Sequence, residues 1–314
     1  MGNSINISKY LGSKVRGIEP PGQTLLFLDL LPGATASYSL RRQRESYSGN
    51  VVRVRRASDN TELDIPFSGN EINLSVLNAF CSGTNGFVTV MYGQDVTLNN
   101  ARQTSLLFQP KIYDSVGGVI TQNGKPAILF DGVDDRLVLD NPVVLSLTGH
   151  SIFDLVSVNS VTTSTPAMLK YSGSPSGTFF SEMLYGYGSI TGTLTNETEY
   201  FTSLRAGQIY GYGDTASPLN GQYIGAVAYK SDLNIALITF TYRRNNNLIS
   251  LNTATTGGFD SNREPDDFRY IGSRNDGTLP FSGYFQELNF YASDQTANLS
   301  IGTTNINNYY NVYP

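Results

Sequence analysis

The chain lacks most of the residues that build cross-links and metal clusters. Its 314 residues include one cysteine (Cys81), one histidine (His150) and no tryptophan. A single cysteine excludes an internal disulfide, and one cysteine with one histidine excludes the usual zinc clusters. A Ser-His-Asp or Cys-His mechanism would have to use His150, which follows Thr148-Gly149 and is interpreted as a turn residue before an apolar strand. No cofactor is expected.

Charge and long apolar runs are also scarce. Charged residues make up 15% of the chain and the net charge is −5, which gives no electrostatic footprint for nucleic acid. The best apolar run is Leu25–Leu31, interrupted by Asp29, whereas a membrane span needs roughly 20 residues. The N-terminus has no basic start followed by a long apolar stretch, so no secretory signal peptide is expected.

Glycine, tyrosine and short apolar segments are abundant. The chain has 31 Gly, 20 Tyr and 16 Phe. Turn dipeptides such as Asn123-Gly124 and Asp276-Gly277 separate many short segments, a pattern typical of a sandwich or barrel and not of a helical bundle. The sequence therefore predicts an all-β, jelly-roll-like sandwich. The clearest predicted strands beyond residue 105 are 106–109, 127–130, 136–139, 151–158, 167–171, 182–187, 208–212, 223–229, 236–242, 247–251, 268–271 and 284–291.

The organisation predicted is one folded domain with an N-terminal arm. Residues 1–24 are polar and contain Pro20-Pro21-Gly22, which favours an arm or tether, and residues 25–314 form the domain. Its first part is predicted to contain short helices over 37–45 and 71–81, a strand over 51–56 with Val52 and Val54 buried, and a central strand over 87–92. Leu40 and Tyr47 are expected to point inward, and a terminal helix is expected to present Leu299, Ile301, Ile306 and Tyr310 on one side.

Six arginines crowd one short segment. They are Arg41, Arg42, Arg44, Arg53, Arg55 and Arg56. One interpretation is a solvated face with local ion pairs to Glu45, Asp59 and Glu62. The other is a docking patch for an acidic partner.

Two short segments repeat one tyrosine–glycine pattern. They are Leu184–Gly188 and Ile209–Gly213. Alternate residues of a strand share a face, so Tyr185 lies with Tyr187, and Tyr210 lies with Tyr212. If the two strands pair, the four tyrosines form one aromatic face suited to sugar rings or protein surfaces. The alternative is a tyrosine ladder that only stiffens the sheet.

Three aspartates, Asp131, Asp134 and Asp135, resemble a calcium site at first sight. The segment lacks the glycine placement and the terminal glutamate of an EF-hand loop. We therefore interpret them as caps of an Asp-Gly turn and expect no metal site.

Two N-terminal blocks resemble the catalytic domain of fungal α-L-arabinofuranosidase B. The first comprises Tyr38–Arg42 and Tyr47–Asn60, and the second comprises Phe80-Cys81 followed by Gly86–Tyr92. The same signature recurs in bacteriophage structural proteins, joined to a concanavalin-like (laminin-G-type) sandwich. Further segments similar to those sandwiches are Lys125–Asp135 and Phe281–Glu287. The resemblance therefore implies a concanavalin-like jelly-roll β-sandwich over 25–314 with a few short peripheral helices.

The resemblance also assigns catalytic positions. The family's nucleophile is a glutamate that opens a Glu-x-aliphatic-Tyr strand, which Glu182–Tyr185 matches. Its acid/base is an aspartate after Ile-Gly-x, but Ile271–Ser273 is followed by Arg274, which cannot donate and recover a proton near neutral pH. Asp276 would serve only if the loop shifts. The family's adjacent pair of cysteines is absent as well.

Three functions stay open at this point. The one we favour from sequence is a non-catalytic phage virion structural protein (a head fibre, capsid decoration or tail-associated adhesin) located in the extracellular particle. Residues 1–24 would bind other virion proteins, the sandwich would face host glycans, and the protein would be a homo-oligomer, with trimers frequent among fibres. The alternative is a retaining glycoside hydrolase of the arabinofuranosidase type that uses Glu182 and Asp276. A secreted carbohydrate-binding module is the third.

Overall fold

The computed structural model describes residues 25–144, 146, 148–159, 167–172, 183–187, 197–204, 207–214, 221–230, 239–249, 251–256, 267–273 and 280–314. The arm predicted for 1–24 lies outside these residues. For the strands between 167 and 214, for 251–256 and for residue 267, only the backbone is considered. In the part that the structure describes, no helix combines the length and the apolar character needed to cross a membrane.

The helices are few and short. They are α1 (Phe27–Leu30), α2 (Leu74–Cys81) and α3 (Leu299–Tyr310), with 3₁₀ turns at Leu106–Phe108 and Thr296–Asn298. The strands are β1 (Ala36–Ser39), β2 (Val52–Arg56), β3 (Glu62–Ile65), β4 (Phe67–Ser68), β5 (Glu71–Ile72), β6 (Gly86–Met91), β7 (Ala101–Arg102), β8 (Lys111–Asp114), β9 (Gly118–Val119), β10 (Thr121–Gln122), β11 (Lys125–Pro126), β12 (Ile128–Asp131), β13 (Leu137–Val144), β14 (Gly149–Val158), β15 (Ala167–Ser172), β16 (Met183–Tyr187), β17 (Glu197–Leu204), β18 (Gly207–Asp214), β19 (Gly221–Lys230), β20 (Thr239–Arg244), β21 (Asn247–Ile249), β22 (Leu251–Thr256), β23 (Asp267–Ile271) and β24 (Ser282–Tyr291).

The strands form one large antiparallel sheet folded into two layers, which are joined where β8 pairs with both β6 and β12, and this confirms the predicted β-sandwich. One layer runs β3–β2–β6–β7–β13–β23–β15–β16–β17–β18–β22. The other runs β20–β19–β14–β24, and β24 continues to β1 and β12. The main core lies between the layers, where the rings of Phe268 and Phe290 are 4.3 Å apart. A second core lies between the β14–β24 layer and helices α1 and α3.

Several predicted elements of the first hundred residues are confirmed. Strand β6 is central, because it pairs with β2 on one side and with β7 and β8 on the other. Val52 and Val54 are fully buried, and Leu40 and Tyr47 point inward. The predicted helices over 71–81 and at the C-terminus are α2 and α3.

Other predictions are wrong. Residues 37–39 of the helix predicted over 37–45 lie in strand β1, whose ladder with β24 overrides the local helical preference. The predicted strand at 106–109 is a 3₁₀ turn. Ile301 is 43% exposed and does not join the buried side of α3. Strand β17 and most of β22 were not predicted.

The arginine-rich segment is held mainly by contacts within the chain. Arg56 pairs with Asp59 at 2.7 Å, as the local-pair interpretation predicts, whereas Arg53 pairs with Asp64 at 2.8 Å and not with Glu62. Arg55 donates to Gln109 and Asn60, and Arg44 donates to the carbonyls of Gln94 and Asp95. These contacts favour the local-pair interpretation over a docking patch.

Arg41 forms a buried ion pair that links three elements. Its Nε lies 2.7 Å from Glu287 Oε2 on β24, and its Nη2 lies 3.1 Å from Glu287 Oε1. The same Nη2 donates to Asn305 Oδ1 on α3 at 3.0 Å, and the guanidinium lies 5.0 Å from the ring centre of Tyr309. Glu287 is fully buried, so its charge depends on this partner.

We predict that Arg41→Met destabilises the fold by about 3–5 kcal/mol, because it leaves the Glu287 carboxylate buried without a cation. Urea unfolding followed by circular dichroism measures the loss. The matched control is Arg53→Met, which breaks the half-exposed pair with Asp64 and is expected to cost less than about 1 kcal/mol. Equal losses for the two variants would contradict the assignment.

Candidate functional site

The candidate catalytic residues are next in sequence to two strands, β16 and β23, which pair with β15 on opposite sides. Strand β16, which begins one residue after Glu182, pairs with β15 so that Met183 lies opposite Ser172. On its other side, β15 pairs with β23, and Lys170 lies opposite Ile271. Neighbouring strands are about 4.8 Å apart, so β16 and β23 lie about 10 Å from each other. The fold thus brings the segment after Glu182 and the segment before Arg274 to the two sides of one strand.

The acidic and basic side chains of this site lie outside the described residues. These are Glu182, Arg274 and Asp276, and their roles remain predictions. What the structure does describe is the start of the loop that carries Arg274 and Asp276. Gly272 has a φ of +99°, and its carbonyl accepts a hydrogen bond from Phe281 N at 2.7 Å.

Gly272 permits a close packing contact at this turn. A side chain there would clash with the Phe130 ring and would lie 2.9 Å from the carbonyl oxygen of Asp135. Glycine is the residue that tolerates both the positive φ and this approach. The segment 131–135 therefore packs closely against the turn at Gly272.

Segment 131–135 is a capped turn, as the sequence predicts. Asp131 Oδ1 accepts the backbone N–H of Val133 at 2.7 Å, and Asp135 Oδ2 accepts that of Asp131 at 2.9 Å. Oxygens of Asp131, Asp134 and Asp135 lie within 4.8 Å of one another. Asp131 Oδ1 also accepts the backbone N–H of Asp134 at 3.4 Å, so Asp131 caps the turn, and the expected absence of a metal stays a prediction.

Asp135 holds a proton more tightly than an ordinary aspartate does. Burial raises its pKa to about 7, and the nearby charges of Asp131 and Asp134 add to the shift, while the hydrogen bond from Asp131 N opposes it. Its backbone carbonyl faces the Gly272 turn. The turn at 131–135, which packs against Gly272, therefore contains a group that titrates near neutral pH.

The four candidate ligand-binding tyrosines do not lie on strands that pair with each other. Strand β17 separates β16 from β18, and its Tyr200 is opposite both Tyr185 and Gly211. Tyr210 and Tyr212 flank Gly211 in the chain, and adjacent positions of a strand belong to opposite faces. The condition under which all four tyrosines share one face is therefore not met. Ligand binding by Tyr185, Tyr187, Tyr210 or Tyr212 stays a prediction.

His150 and Cys81 do not form a nucleophilic site. His150 lies in strand β14 and not in a turn, is buried, and stacks on Tyr229 with ring centres 4.7 Å apart. Cys81 is buried at the end of α2, and burial raises its pKa to about 11, so the thiol stays protonated at neutral pH.

Comparison with known proteins finds similarity to arabinofuranosidases in sequence and in fold. The family model of the α-L-arabinofuranosidase B catalytic domain matches residues 31–116, which confirms that part of the resemblance. A GH54 α-L-arabinofuranosidase mutant soaked with 4-nitrophenyl α-L-arabinofuranoside superposes with a TM-score of 0.59 at 16% identity. An arabinofuranosidase complexed with arabinofuranosyl-α-1,2-xylobiose superposes with a TM-score of 0.60 at 14% identity. Comparison with curated proteins gave no match.

These similarities establish the fold. In both superpositions the alignment covers 87% of this chain and 62% of the solved one, so the chain spans less than two thirds of their length. The family match ends at residue 116, well before the candidate catalytic positions.

The interpretation as a bacteriophage structural protein is wrong. The matched family and the structures that superpose with a TM-score above 0.5 are those of arabinofuranosidases, and they do not connect the chain to a virion. Two parts of that interpretation agree with the comparisons, namely the β-sandwich fold and the relation to carbohydrate. The expected glycan partner and homo-oligomeric state stay predictions.

We predict that Asp135 stabilises the folded protein at low pH and that this contribution is lost as the pH rises from about 4 to about 7. The folded pKa of about 7 exceeds the ordinary value of 3.8, so the folded state retains a proton that the unfolded state has lost in this window. The Asp135 contribution is complete below this window and lost above it.

The variant Asp135→Asn removes this titration and still offers an oxygen to Asp131 N. The free energy of unfolding, measured by urea titration at several pH values, should become less pH-dependent, by at most about 1.4 kcal/mol per pH unit. An unchanged pH profile would contradict the raised pKa.

Proposed function

We propose that this chain is a glycoside hydrolase of the arabinofuranosidase type that acts on arabinose-containing polymers. The observation that carries the proposal is the shared fold, because superposition on arabinofuranosidase structures extends over 87% of the chain. The family match over residues 31–116 supports it independently from sequence.

The architecture around β15 supports this proposal. A retaining glycosidase needs a carboxylate nucleophile and a carboxylic acid about 5–5.5 Å apart. Glu182 directly precedes β16 and Asp276 follows β23 in the sequence, and these two strands flank β15. The proposal requires Asp276 to reach the end of β15 at which β16 begins.

In this proposal each residue has a distinct role. Glu182 attacks the anomeric carbon and forms a glycosyl–enzyme bond as the leaving oxygen takes a proton from Asp276. Asp276 then removes a proton from the water that hydrolyses this bond, which restores both carboxyl groups. Arg274 stays protonated throughout, so it stabilises negative charge and takes no part in proton transfer.

We predict that the purified protein hydrolyses an aryl α-L-arabinofuranoside and that Glu182→Gln lowers kcat by at least about a thousandfold, because the amide is a poor nucleophile. The control is Glu62→Gln on the exposed strand β3, which should retain wild-type activity.

For Asp276→Asn we predict a loss of about 10²–10⁴-fold on unactivated arabinan, which needs a general acid. The loss should be smaller on the aryl substrate, whose leaving group needs less protonation. Absence of turnover by the wild-type protein on either substrate would contradict the proposed function. Turnover that survives Glu182→Gln would contradict the assigned nucleophile.

A further inference from the structure

The β6–β7 connection, residues 92–100, exposes apolar side chains on a firmly held backbone. Val96 is 78% exposed and Leu98 is 51% exposed, whereas Gln94, Asp95 and Asn99 are buried. The exposed stretch 96–98, which contains Val96 and Leu98, thus lies between buried polar residues. This is the reverse of the arrangement expected of a surface loop that only connects two strands.

Side-chain hydrogen bonds fix the base of this connection. Gln94 Oε1 accepts the backbone N–H of Gln43 at 2.8 Å, and Gln94 Nε2 donates to the carbonyls of Ser39 and Arg41 at 2.9 and 3.0 Å. Asp95 Oδ1 accepts the backbone N–H of Thr97 at 2.8 Å. Because the base of the loop is already ordered, binding a ligand at Val96 and Leu98 requires no further ordering of that base.

Leu98 adopts a strained conformation. Its φ is +54°, in the left-handed region where leucine is unfavourable and asparagine or glycine is tolerated. The leucine side chain is half exposed, so burial in the core does not explain its presence here. Strain held in place by a fixed surrounding is characteristic of functional positions.

The connection continues into an exposed part of β13. Asn99 and Asn141 exchange two hydrogen bonds, of 2.7 and 2.9 Å, and β13 then exposes Pro142 and Val144. We call Val96, Leu98, Pro142 and Val144 the apolar rim. Arg102 and Asp140, which lie on β7 and β13, form an ion pair with a 2.6 Å contact.

The apolar rim lies at the end of the sheet where β16 begins. In the pairing of β13 with β23, Val143 lies opposite Phe268 and Val144 lies opposite Asp267. Continuing the β15–β23 register by one residue places Ser172, the partner of Met183, opposite Arg269. Val144 is therefore at the same end as Met183, and three strand spacings of about 4.8 Å separate their strands, roughly 15 Å in all.

We propose that the apolar rim binds the polysaccharide chain to which the arabinofuranosyl residue is attached, an inference that rests on the proposed function. The separation from β16 is one that an oligosaccharide bridges and a single sugar does not. The four residues of the apolar rim carry no charge, which matches an uncharged polymer whose sugar rings offer C–H faces for contact. The fixed loop holds the rim ready for this contact.

The test compares Leu98→Asn and Val96→Ser with the control Val116→Ser, which changes a 95% exposed valine in the β8–β9 turn. Isothermal titration with soluble arabinan and arabinoxylan measures the Kd for each polymer, and an aryl α-L-arabinofuranoside reports hydrolysis at the site. We expect Leu98→Asn and Val96→Ser to weaken polymer binding by about five-fold or more. The control and the aryl activity should not change, and Leu98→Asn should melt at the same or a higher temperature because asparagine relieves the strain.

The outcomes separate the two proposals. If the wild-type protein hydrolyses neither the aryl substrate nor the polymers, the proposed function is wrong. The Kd for each polymer still tests the apolar rim in that case. Wild-type protein that does not bind either polymer, or rim variants that bind like the control, would overturn the rim proposal even if hydrolysis is intact. A change of oligomeric state in the rim variants, measured by light scattering, would identify the rim as an interface between copies and overturn it too.

Discussion

Strand β24 must bury a carboxylate in the middle of a sheet, and this constraint governs much of the fold. Glu287 is fully buried, and Arg41 reaches it through two charge-assisted hydrogen bonds. Because Arg41 follows β1 and also bonds to Asn305, the pair holds β1 and α3 against β24. Strand β24 in turn pairs with β14, which is buried at every position. The layer that supports the second core is thus assembled around one ion pair that joins residues far apart in the sequence.

The sequence predicts the sandwich because its signals are local. Alternating apolar residues and turn dipeptides identify β6, β12, β14, β19 and β24, and the periodicity around Leu299 identifies α3. The predicted helix over 37–45 fails for the opposite reason. Ser37 and Ser39 have no strand preference of their own, but their side chains bond to Asn289 and Glu287 some 250 positions away. Such pairing depends on the assembled sheet and leaves no short-range pattern.

The candidate site also combines features that are visible in the sequence with features that depend on the assembled sheet. The match of Glu182–Tyr185 to a family pattern is visible in the sequence, and so is the replacement of an expected aspartate by Arg274. The placement of β15 between β16 and β23 is not, because it depends on the order of strands in the sheet. The tyrosines show that strand register decides which residues share a face of the sheet. Because β17 lies between β16 and β18, the residue in line with Tyr185 is Gly211 and not Tyr210 or Tyr212. Leu98 carries no sequence signal, because only the backbone reveals its positive φ.

We propose that Glu182 acts as a nucleophile on a fold that this chain shares with arabinofuranosidases. Treatment with an arabinofuranose-derived reagent that traps the glycosyl–enzyme bond, followed by peptide mapping with mass spectrometry, tests this role. We expect one adduct for each chain, on the peptide that contains Glu182. An active protein that forms no adduct, or one that carries the adduct on another carboxylate, would show that the nucleophile is not Glu182.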